Sequence, residues 1–80
     1  MDNQSNSSIS RIPPQNLEAE QSTLGSLMLD KDAIIKIADL IIADDFYDNR
    51  HRLIYESISE LFGNSSPIDI LTVSNKLEEK

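Results

Sequence analysis

The 80 residues read as a small all-α domain of about four short helices. Large aliphatic side chains recur at intervals of three and four rather than two. Asn16, Asp30, Asp48 and Asp69 each stand just ahead of such a run, where a short polar side chain can accept from an otherwise unpartnered helix amide. Strand-like alternation of useful length and any repeat of fixed period are absent from the sequence.

Residues 1–13 are rich in Asn, Ser and Gln and nearly free of large apolar groups, so burial cannot offset the entropy of ordering them; they are expected to form a flexible polar tail, with the helical domain over residues 14–80. "RIPPQN" closes the tail, its consecutive prolines forcing extended backbone and withholding two donors. The first helix starts after Asn16, with Glu18 and Glu20 in its first turn, where the helix dipole favours negative charge. Leu17, Leu24, Leu27 and Met28 share one side of it. Gly25 inside that helix costs about 1 kcal/mol against alanine, a cost explained if a neighbouring helix approaches closely there.

Asp30 fits the cap of a second helix, with Leu29 and Ile34 at the two positions of a hydrophobic staple. Ile34, Ile37, Ala38 and Ile41 continue the buried stripe, while Ile35 and Ile42 lie partly off it. "ADDFYD" breaks the periodicity, and Asp48 caps a third helix from Asn49 to about Phe62, with Ile54, Ile58, Leu61 and Phe62 on one side and Gly63 as its left-handed stop. Phe46 plugs the space between the second and third helices, and Tyr47 anchors the turn beside it. After the loop "GNSSP", Asp69 caps a fourth helix, flanked by the staple pair Ile68 and Val73, with Ile70, Val73 and Leu77 facing the core. "KLEEK" holds good helix formers and no terminator, which suggests a chain cut in mid-element.

A chain this short buries only about 60% of the surface its unfolded form exposes, and with 39% apolar residues and no tryptophan the core must be built mainly from Leu and Ile. Stability is therefore thin. The net charge of −7 repels a phosphate backbone and an anionic membrane surface, so direct binding of DNA by this chain is not expected, and no apolar run approaches the ~20 residues that cross a bilayer. Without cysteine there is no disulfide, thiolate nucleophile or cysteine metal site, and "MDNQSNSSIS" lacks the apolar stretch of a secretory signal.

The stretch "DDFYDNRHRLIY" is where chemistry would be sought. Asp44, Asp45, Asp48 and His51 offer carboxylates and an imidazole to a divalent metal, but Asp48 is better used as a helix cap, and Arg50 and Arg52 oppose a cation. His51 as a general base lacks any arrangement of nucleophile and acid to work with; a solvated or core-edge histidine is the simpler reading. Arg50 and Arg52 sit in a helix first turn, against the dipole, and are expected to pair with Asp44, Asp45 or an acid from another helix. Phe46 and Tyr47 could stack nucleic-acid bases, yet their surroundings are acidic rather than basic. A phosphate-binding loop needs two glycines ahead of a Lys-Ser/Thr pair, and neither Gly25 nor Gly63 stands in that context. No catalytic, metal or cofactor site is therefore expected.

"IPPQNLEAEQSTLGSLMLD", "DDFYDNRHRLIYESI" and "SPIDILTV", in this order and spacing, resemble the N-terminal domain of the bacterial replicative DNA helicase of the DnaB type, over Ile12 to Lys80. The resemblance implies a parent that forms a hexameric ring and unwinds DNA 5′ to 3′ with ATP and magnesium in a C-terminal motor domain outside this chain. It implies a helical collar that pairs protomers of the ring and docks the C-terminal domain of primase, with a helicase loader as a further partner, in the cytoplasm. The family's domain continues past this point into further helices and a helical hairpin that supplies much of the protomer pairing. Glu18 matches an acidic position of the family's first helix and is the residue expected to serve docking. The alternative is a free-standing acidic helical adaptor for a basic protein partner, separated from the first reading by whether the gene continues into an ATPase.

Overall fold

The computed structural model describes Ile12 and residues 15–80, so the polar tail expected over residues 1–13 lies, Ile12 apart, outside the described residues. These residues form α1 (Leu17–Leu29), α2 (Ala33–Ile37), a 3-10 turn (Ala43–Asp45), α3 (Asn49–Gly63) and α4 (Ile70–Glu78), an all-α architecture. The longest helix, α3, is the hub: α1, α4 and the 3-10 turn all pack on it, and α2 leans on α1.

Three of the four described helices, α1, α3 and α4, begin where a side-chain oxygen takes an orphan amide. Asn16 Oδ1 accepts from Ala19 N at 2.9 Å and Asp48 Oδ1 from Arg50 N at 2.8 Å. Asp69 Oδ1 accepts from Thr72 N at 2.9 Å, and Thr72 Oγ1 accepts in return from Asp69 N at 2.9 Å, a reciprocal box closed by threonine instead of glutamate. Asp30 acts differently from the expected cap. Its Oδ1 takes Asp32 N at 2.9 Å and its carbonyl takes Ala33 N at 3.0 Å, so a local turn intervenes and α2 starts only at Ala33. The staple paired with that cap is not formed either, because Leu29 is 89% exposed while Ile34 is buried.

The core joins Leu24 and Leu27 of α1 with Ile34 and Ile41, Phe46, then Tyr55, Ile58 and Leu61 of α3 and Val73 of α4. Phe46 is fully buried, as its place between the second and third helices requires. Its ring lies 5.2 Å from that of Tyr55, whose hydroxyl donates to the Ile41 carbonyl at 2.7 Å. That bond gives a partner to a carbonyl of the irregular segment between α2 and the 3-10 turn. Ile35 is exposed, so α2 has one covered face, and Ile42, beyond its end, is exposed as well. In α4, Val73 and Leu77 reach the core with Ile68, whereas Ile70, expected inside, is 73% exposed. Beyond Glu78, Lys80 N bonds to the Leu77 carbonyl and Lys80 Nζ to Glu60 of α3 at 2.6 Å.

Both glycines depart from their expected roles. Gly63 is the last helical residue of α3 and has no positive φ; the left-handed residue is Ser65, with φ 58°. Ser66 N bonds to the Leu61 carbonyl and Ser65 N to that of Phe62, the paired bonds that end a helix through a left-handed residue. Gly25 has no close neighbour: a Cβ added there would meet nothing within 4 Å. Its place in α1 is therefore not explained by packing among the described residues.

Two substitutions measure these points. Gly25→Ala should raise the unfolding free energy of the chain by about 1 kcal/mol, from helix propensity alone. Ser65→Gly should raise it by roughly 0.5–1 kcal/mol through relief of the left-handed backbone. Urea unfolding followed by far-ultraviolet circular dichroism reads both, and a loss of stability in either variant would contradict the geometry described.

Candidate functional site

The chemically richest cluster lies where α1 meets the start of α3. Glu20 occupies the same side of α1 as Leu24 and Leu27, which forces its carboxylate inward, and it is fully buried. Its Oε2 accepts from Tyr47 N at 2.5 Å; its Oε1 accepts from Asp48 N at 3.3 Å and from His51 Nδ1 at 2.7 Å. A carboxylate only accepts, so Nδ1 is the protonated ring nitrogen. Tyr47 and Asp48 are the residues just ahead of α3, so Glu20 also places a negative charge at the positive end of that helix dipole. Burial pushes the Glu20 carboxyl up, but the hydrogen bonds from His51, Tyr47 and Asp48 together outweigh it, and the group ionises below its ordinary 4.5.

This constellation ties α1 to the start of α3. Both carboxylate oxygens are taken by main-chain amides and the imidazole, the pair lies inside the packing, and no described nucleophile hydrogen-bonds His51. Among the described residues no buried side-chain nitrogen or oxygen is left without a partner.

The four side chains considered as metal ligands are dispersed. Asp45 Oδ2 accepts from Ile42 N at 2.8 Å across the 3-10 turn. Asp48 is engaged by Arg50, whose Nη2 stands 2.9 Å from Asp48 Oδ2, and that guanidinium, with the Arg50 amide, holds the carboxyl down to about 2. His51 is turned to Glu20. Among the described residues no group of three or more His, Asp or Glu is placed to hold an ion. The arginines do not pair as expected: Arg50 turns back on its own helix cap, and Arg52 Nε donates to the Phe46 carbonyl at 2.7 Å. Tyr47 contributes its amide to the turn, while its ring is exposed.

The outer surface is less ordinary than the inside. Gly25, Met28 and Leu29 of α1 and Asp69, Ile70 and Leu71 at the start of α4 line an apolar groove of about 530 Å³. Leu29, Ile70 and Leu71 are 89%, 73% and 69% exposed. Glu18 is exposed on the same face of α1, since 18, 22, 25 and 29 follow one another at helical spacing. It points away from the Leu24 stripe, as expected. No described helix is long and apolar enough to cross a membrane.

Sequence reasoning missed Glu20 and His51 as a pair. The signal was present in the two stripes: Glu20 falls on the line 17–20–24–27 and His51 on the line 51–55–58, a polar residue on each buried face at the end where the helices meet.

With the geometry known, the comparison with known proteins decides the family. The model of the DnaB-like helicase N-terminal domain matches residues 12–80. The chain belongs to that family. It is 46% identical over 70 residues to the replicative DNA helicase DnaB of Buchnera aphidicola subsp. Schizaphis graminum, covering 88% of this chain and 15% of that protein. It is 47% identical over 68 residues to the replicative DNA helicase DnaB of a Synechocystis species, covering 85% of this chain and 8% of that protein. The crystal structure of the N-terminal domain of DnaB helicase from Mycobacterium tuberculosis superposes with a TM-score of 0.78 at 42% identity, covering 84% of this chain and 46% of that one. The chain thus spans a small part of the curated helicases it matches and less than half of the solved domain.

The Glu20 cluster of this DnaB-like domain gives two measurable consequences. Glu20→Ala should cost about 3 kcal/mol, because it leaves two amides and an imidazole without their acceptor, whereas Glu18→Ala on the surface should stay within about 0.5 kcal/mol. Urea unfolding at neutral pH separates them. The pH dependence has a definite sign: a carboxyl that ionises below 4.5 when folded adds stability that is complete above 4.5 and is lost as pH falls through the folded value. The stability gap between the natural chain and Glu20→Gln should therefore be constant near neutrality and shrink in acid below about 4.5, read from urea midpoints across that range.

Proposed function

We propose that this domain is the assembly and docking part of a cytoplasmic replicative DNA helicase. It pairs with other protomers of a ring and recruits primase through that protein's C-terminal domain, with a helicase loader as a further partner. Unwinding of duplex DNA, 5′ to 3′ and driven by ATP with magnesium, belongs in this reading to a motor carried elsewhere in the polypeptide. The observation that supports it is the division of labour within the domain. Its buried polar groups are consumed by folding, while large apolar side chains and acids stand together on the outside of α1 and α4. Membership of the helicase family makes an adaptor unconnected with replication the weaker reading.

Glu18 is the residue assigned to docking. A charge at the border of an interface acts mostly on encounter rate and salt dependence, so its contribution should be moderate. Sedimentation of the chain with the C-terminal domain of the cognate primase is the test. A complex at tens of micromolar, weakened roughly threefold to tenfold by Glu18→Lys at low salt and less at high salt, is expected. Absence of any co-sedimenting species would overturn primase docking by this chain.

A further inference from the structure

We draw no further inference here: the strongest candidate, the exposed apolar groove between α1 and the start of α4 lined by Gly25, Met28, Leu29, Ile70 and Leu71, carries nothing, because nothing in the structure shows what covers it.

Discussion

The Glu20 carboxylate is the contact on which the arrangement of the helices depends. A single side chain from α1 collects two amides ahead of α3 and the imidazole of its first turn, joining segments 27 to 31 residues apart. An ionised group inside a protein is tolerable only when its lone pairs are filled, and here both oxygens are filled by donors that the start of α3 would otherwise leave open. The arrangement therefore answers two problems at once, the burial of a charge and the satisfaction of a helix end. The local cap, Asp48, completes the set by taking the Arg50 amide. Arg50 in turn lies against Asp48, which offsets the unfavourable position of a cation at a helix N-terminus.

The remaining stability is thin by construction. Among the described residues nine apolar side chains make the buried core, and only Phe46 and Tyr55 among them are aromatic. A core of that size in a chain of 80 residues leaves only a few kcal/mol of net stability, so the specific contacts matter out of proportion to their number. Phe46 is placed where α2 has ended and α3 has not begun, and with Tyr55 of α3 packed against it the connecting segment is not a hole in the core. The Tyr55 hydroxyl and the Arg52 guanidinium each take a carbonyl of that segment, which lets irregular backbone lie against a packed interior.

Much of this was legible from residue order. The all-α class, helix starts at Asn16, Asp48 and Asp69, the burial of Phe46 and the exposure of Glu18 follow from capping chemistry and a period near 3.6, which act over neighbouring residues. The failures share a cause, since each needed knowledge of what lay across from the residue in space. Asp30 and Leu29 had the spacing of a cap and staple, but the chain makes an extra turn before α2, and Leu29 is left outside. Ile70 sits in the first turn of α4, on the side away from α3, and Gly63 is helical because Ser65 takes the left-handed conformation. Glu20 was read as a first-turn acid favoured by the helix dipole, a role its position permits; its real partner is the end of another helix, which no local rule names.

The inner and outer faces of α1 are linked by helical geometry. Each residue turns the chain by about 100°, so fixing the direction of one side chain fixes the rest. Glu20 is held by three hydrogen bonds to atoms whose positions α3 determines, with Leu24 and Leu27 packed below it, and this sets the rotation of α1 about its axis. Glu18, Ser22, Gly25 and Leu29 then necessarily project to the opposite side, next to Ile70 and Leu71 of α4. The orientation of this outer side of α1 is thus set by contacts on its inner side. Gly25 without a close neighbour and Leu29 and Leu71 without cover are local conflicts with stability among the described residues. In this domain they lie on the surface, behind which a buried acid holds the scaffold still.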